Sequence, residues 1–217
     1  MPYRLLAKAA TRATGRLGWG RGALGALLGI GLAGMLGLVV NHDLAPFLIA
    51  PMGAAAVLIF VVPASPLAQP WSVIGGNLLS TLVGLAVHAL LPASPWCGAL
   101  AVAGAIAVMS LARCLHPPGG ACALFACLYT GPAALLLGAM LANVAALVAC
   151  GWLWNNLTGH PWPHHARAVP PLPAYSPDDL DAVLEEWDEV LDVSREDLDA
   201  LFRAVEAKAQ ARLRAGR

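Results

Sequence analysis

The sequence predicts an all-α membrane protein. It reads as a bundle of about six hydrophobic helical segments, arranged as two inverted three-helix repeats with broken helices, followed by a C-terminal soluble helical hairpin. Three observations predict it. The first is composition: of 217 residues, 59% are hydrophobic and 12% charged, with mean hydropathy +0.68. A soluble domain carries about twice that charge fraction, so the excess apolar surface calls for a lipid bilayer as its partner. The second is charge segregation. The formal net charge is zero, yet between Gly22 and Ala166 the only Lys, Arg, Asp or Glu residues are Asp43 and Arg113. The third is an ungapped self-match at a shift of 66 positions, which lays Pro51 on Pro117, Gly53 on Gly119, Pro66 on Pro132 and Asn77 on Asn143. Three segments per half is an odd number, so the second half enters the membrane inverted, the layout in which broken helices of two repeats meet near the midplane.

Residues 1–22 form a basic arm: Arg4, Lys8, Arg12, Arg16 and Arg21 occur without an acid before the apolar run 23–40. By the positive-inside rule this arm is cytoplasmic. An Arg-rich, acid-poor arm is also the composition of a transit sequence, while the Asn41-His42-Asp43 that follows the run does not read as a signal-peptide cleavage site. Apolar runs follow at 44–62, 72–91, 96–113, 118–130 and 132–154. A crossing takes about 20 residues, so 118–130 is either a re-entrant half-helix or the second half of a crossing broken at Pro117-Pro118. The membrane domain is 23–155, with repeats at 23–91 and 96–154. Six crossings return the C-terminus to the cytoplasm.

Residues 156–175 are a Pro- and His-rich connector, with Trp152, Trp154 and Trp162 around it in the pattern of an interfacial aromatic belt. The tail, 176–217, is acidic at its start. Ser176-Pro177-Asp178-Asp179 has the order of a helix N-terminus, a capping serine, Pro at the first position and acids in the first turn, and Ser194-Arg195-Glu196-Asp197 is a second start. Each start leads into a single apolar stripe at helical spacing, which predicts the hairpin.

The chemically costly residues gather at Arg113 to Ala121. Two prolines and two glycines cannot lie inside an unbroken helix. A broken backbone beside a cation at membrane depth is tolerated only within protein or along a polar cavity. Arg113 is either a substrate group or an interfacial anchor. His116 can carry a proton or bind an anion, against the plainer role of a turn residue satisfied by carbonyls. Asn77 and Asn143 are amides in apolar helices, suited equally to helix cross-linking and to substrate contact. Thr81 shares a face with Asn77 and His88, whereas Ser80 is expected to bond back to its own helix. Glycines 25, 29, 34 and 37, with 75, 76 and 84, permit close helix contacts, and His42-Asp43 is an external turn. The five cysteines, Cys97, Cys114, Cys122, Cys127 and Cys150, lack a CxxC pair and read as small buried apolar side chains. His160, His164 and His165 lack neighbouring acidic or Cys ligands, so no metal and no cofactor is expected.

The string Leu115-His116-Pro117-Pro118-Gly119-Gly120-Ala121, with Met109 to Cys114 before it, resembles the signature of the HPP family of integral membrane proteins. Ala50 to Phe60 and Pro66 to Asn77 resemble two further motifs of that family in the right order, and the likeness spans about residues 20–160. The motif here has two glycines where the family pattern has Ala-Gly, which leaves the backbone break intact. The tail resembles the short tail of some bacterial members, where others carry CBS domains. The resemblance implies a multi-pass transporter of the inner (plasma) membrane or a plastid envelope, and its plastid and cyanobacterial relatives imply nitrite as the cargo.

Together these point to a membrane transporter of a small inorganic anion, nitrite in particular. The substrate-binding residues are Arg113, His116, Pro117, Gly119 and Gly120 from one half, Pro51 and Gly53 from the other, and Asn77, Asn143 and Thr81 between them. In this reading two half-helix N-termini face one electropositive pocket. The alternative is a non-transporting scaffold or sensor that signals through the C-terminal helices. An enzyme is not expected, Cys114-x-His116 with Cys122 being the one candidate set, and neither is nucleic acid as a partner. A homo-oligomer is compatible with a small Gly-rich bundle without following from it.

Overall fold

Prolines start the membrane helices. Four of the apolar helices open with Pro at the first helical position, where its missing N–H is no loss: α2 (Pro51–Val61), α3 (Pro70–Leu90), α4 (Pro95–Leu111) and α5 (Pro117–Leu128). Before them runs α1 (Gly18–Asn41). After them Pro132 caps α6 (Ala133–Leu157), and the tail holds α7 (Pro177–Glu186) and α8 (Arg195–Ala215). These elements come from a computed structural model that describes residues 18–41, 49–91, 94–164, 176–187 and 193–215. Most of the basic arm, the His42-Asp43 turn, His165 and the end of the connector lie outside the described residues. Within them the chain is all-helical, with a 3₁₀ turn at Pro66–Ala68 and no strand.

Among the described residues α3 and α6 are long and apolar enough to cross a membrane, and Gly20–Leu36, Pro51–Val61, Trp96–Leu111 and Pro117–Leu128 are shorter apolar helices. About two fifths of the residues in each long span are buried, and the others are half-buried or exposed. The outward surface is built from large apolar side chains such as Leu27, Leu111 and Leu157, whereas the interior is rich in Ala, Cys and polar groups: Asn77, Ser80, Thr81, His116, Asn143 and Asn155 are buried. An apolar exterior around a partly polar interior suits a lipid solvent.

Hydrogen bonds define one end of the bundle. Arg21 at the start of α1 donates to Phe60 O at the end of α2 and to Asn155 and Thr158 at the end of α6. Trp71 at the start of α3 donates to Ala112 O at the end of α4, and His116 before α5 donates to Leu67 O. Consecutive helices from α1 to α6 therefore run antiparallel. At the other end His88 of α3 donates to Cys127 O at the end of α5. α1 packs on α2 and α6, α4 packs on α5 and α3, and α3 with α5 forms the most extensive contact. Exposed Trp71 and Trp152 lie at the first end and exposed Trp96 at the second, in the position of interfacial belts.

Trp162 departs from the belt expected of it. The chain turns back after α6, buries Trp162 in the core, and lets its indole N–H donate to Ala68 O at 3.0 Å. Burial of the large ring is favourable because its N–H keeps a hydrogen-bond partner inside. His164 N–H donates to Gln69 Oε1 in the same fold-back, so the start of the connector covers the bundle end. The tail starts as expected. Ser176 and Asp179 form a reciprocal capping box, Ser194 Oγ accepts from Asp197 N–H, and a two-bond Arg195–Asp181 pair ties α7 to α8.

Candidate functional site

The seam between α3 and α5 is where backbone approaches backbone. A Cβ on Gly84 would collide with Ala123 O, one on Gly76 with His116 Cβ, and one on Gly119 would lie 2.6 Å from Gly76 O and 2.7 Å from Ser80 Oγ. Glycine is required at these three positions because only it lets the helices come so close. On the same seam Asn77 Oδ1 accepts from the Cys122 thiol at 3.1 Å, which links α3 to α5.

His116 is the N-cap of α5, in extended conformation, and is fully buried. Its Nδ1–H donates to Leu67 O at 2.7 Å. That bond fixes the tautomer, so the neutral ring presents its other nitrogen, Nε2, as a lone pair. Nε2 is buried and has no hydrogen-bond partner, and the same is true of Ser80 Oγ. Gly76, one turn before Ser80, lies against His116, and Gly119, one turn into α5, lies against Ser80. Two unpartnered polar groups thus share one turn of a seam otherwise lined by glycine backbone, Met109 Sδ and Cys114. An unpaired buried polar atom costs ~1–3 kcal/mol, which makes these two atoms candidates for contact with a bound group.

Here Ser80 and Thr81 exchange the parts expected of them. Thr81 Oγ1 donates to Asn77 O at 2.7 Å and Asn77 Nδ2 donates to Val73 O at 2.7 Å, so both spend donors on their own helix. Ser80 does not back-bond. One residue along a helix is a rotation of about 100°, enough to turn Ser80 rather than Thr81 toward Gly119. Asn143 behaves as Asn77 does, with Nδ2 donating to Ala139 O at 2.8 Å on α6.

The structure does not bring the two proline breaks together. Pro51 and Gly53 begin α2, whose other end leads into Leu67 and hence to His116. The 11 residues of α2 separate the breaks by roughly 16 Å. Gly53 is exposed and has open space around it. Nor do the two N-termini offer free amides. Pro117 and Pro118 have no N–H, Gly119 N–H returns to His116 O at 2.8 Å, and Met52 and Gly53 N–H return to Ile49 O and Ala50 O. The two helix N-termini therefore do not share one place, and the candidate side chains lie on the α3–α5 seam instead.

Arg113 lies outside that seam. It is exposed, with φ 52°, and it closes α4: Cys114 N–H donates to Met109 O at 2.9 Å and Arg113 N–H to Ser110 O at 3.2 Å, the Schellman pattern with Arg at the left-handed position. Among the described residues the buried cation is Arg21, held by Phe60 O, Thr158 and Asn155. Sequence reasoning placed it in the basic arm. Its one signal was Gly22 directly after it, which packs against Val61 and Phe60 O.

A bundle with an apolar exterior, two long apolar spans and a buried polar seam defines a polytopic membrane protein. The chain belongs to the HPP family: the model of its transmembrane region matches residues 12–163. Two transmembrane proteins of Dictyostelium discoideum are similar, one 46% identical over 81 residues and the other 43% over 82. Each match covers 36% of this chain, and 28% and 26% of those relatives respectively, so the chain spans about a quarter of their length. No solved structure matches the chain.

Proposed function

We propose that the protein is a plasma-membrane transporter of a small inorganic anion, with nitrite as the first candidate, and that the anion is met by His116 and Ser80 on the α3–α5 seam. The observation that carries this reading is the pair of buried, unpartnered atoms, His116 Nε2 and Ser80 Oγ. Neutral His116 offers an anion only a lone pair. With Nδ1–H held by Leu67 O, a second proton goes to Nε2, and the resulting imidazolium donates to an anion oxygen while Ser80 O–H donates to another. Anion and proton then move together, which removes the cost of carrying a bare charge through a low-dielectric site. Gly119 lets α5 stay close to α3 around the bound anion, whereas Gly120 faces Val102 of α4.

The same reading takes residues 23–91 and 96–154 as inverted repeats. It is supported by matched packing, α1 on α2 as α4 on α5, and α1 on α6 as α4 on α3. It is also supported by matched ends, since the last carbonyls of the short helices accept from the facing long helix, Ile59 O from Asn155 and Cys127 O from His88. The basic arm supports a cytoplasmic N-terminus, and the antiparallel order of α1 to α6 then puts the end of α6 on the same side.

The test is uptake of radiolabelled nitrite into proteoliposomes holding the purified full chain. The expected result is uptake above that of empty liposomes, accompanied by acidification of the lumen read by a trapped dye. Uptake equal to that of empty liposomes for nitrite and a panel of similar anions would overturn the proposal.

A further inference from the structure

Cys97 lies in the first turn of α4 and Cys127 in the last turn of α5, two adjacent antiparallel helices. Both are buried in one small apolar cluster with Ala101, Ala105 and Ala123. Their sulfurs are 3.0 Å apart, and both are free thiols. Cys122, by contrast, spends its thiol on Asn77. A disulfide has an S–S distance of ~2.05 Å, so a shift of about 1 Å by one side chain closes the bond. The backbone at Cys127 is already held, because its carbonyl accepts from His88 at 2.8 Å. We infer that Cys97 and Cys127 are a redox-active pair, a modification site that closes to an intramolecular disulfide and pins α4 to α5 at the bundle end opposite His116.

In the step both S–H bonds break, one S–S bond forms, and two electrons and two protons pass to the oxidant, a diazene or a small disulfide. In the orientation set by the basic arm this end faces outward, the side on which disulfides persist. The bond closes a loop across 30 positions and ties the α3–α4 turn region to the end of α5.

The experiment uses the full chain in membranes, treated with the diazene diamide or with dithiothreitol, then denatured, alkylated and weighed. Of the five cysteines, all five alkylate after dithiothreitol and three after diamide, with a non-reduced peptide joining Cys97 to Cys127. In Cys127→Ala the four remaining thiols alkylate after either treatment. Five alkylated thiols in the diamide-treated wild type, a cross-link that leaves out either residue, or loss of two thiols in Cys127→Ala would each overturn the inference.

Discussion

Two arginines divide the work of anchoring and bracing. Arg113 is exposed in the left-handed region at the end of α4, where a side chain costs about 1 kcal/mol that glycine avoids. Arg113→Gly is therefore expected to raise the unfolding free energy in detergent by about that amount. Arg21→Met leaves the buried Asn155 and Phe60 O acceptors short of a donor, and a loss of roughly 2–3 kcal/mol is expected. Thermal unfolding of the two variants checks both signs; equal effects would refute the assignment. Composition pointed to Arg113, the lone cation in an apolar stretch. It was silent on Arg21, whose partner Asn155 is 134 positions away and whose neighbours in the chain are other arm residues. His116 was legible as a polar residue at a helix break in an apolar run, and the structure gives its Nδ1–H the carbonyl partner of a turn residue while leaving Nε2 unpartnered. Ser80 was not, because only the phase of α3 against α5 separates it from Thr81.

The helices themselves were legible. The expected runs 72–91, 96–113 and 118–130 became α3, α4 and α5 within two residues at each end, since Pro marks each start and polar or Gly-rich turns mark each stop. Which glycines are contacts was not legible, because glycine looks the same whether its missing Cβ faces a helix or lipid. Gly84→Ala places a Cβ against the Ala123 carbonyl, backbone that cannot rotate away, and should cost about 1–3 kcal/mol. Gly53→Ala meets open space and should be neutral or gain up to about 1 kcal/mol from helix propensity. A thermal shift series on the two variants tests this. If Gly53→Ala were the more damaging, the α3–α5 seam would not be the tight one. The Pro117-Pro118 pair also explains why the helix-terminus site failed: the residues that break the helix are the ones that delete its leading donors.

For the whole molecule, the antiparallel order of α1 to α6 places both ends of the bundle domain on one side, and the α7–α8 tail continues from there. A reporter fused after Arg217 should be active in the cytoplasm, and activity on the outer side would reverse the assignment of both termini. The proposed repeat rests on matched Pro, Gly and Asn in the sequence, and Asn77 and Asn143, one of the matched pairs, each back-bond to their own helix. The two matched segments pack differently: α3 is bound closely to α5 through Gly76, Gly84 and Gly119, whereas Gly53, which the 66-residue shift lays on Gly119, has open space around it. A symmetric sequence motif therefore gave no warning that the polar seam would be one-sided. The most direct measurement is ¹⁵N NMR of the reconstituted protein labelled at histidine, with the His116 signals assigned by their loss in His116→Gln. The account predicts that nitrite moves the His116 Nε2 resonance from the lone-pair to the protonated range and leaves Nδ1, bound to Leu67 O, nearly in place. An unmoved Nε2 resonance at a nitrite concentration that saturates uptake would contradict it.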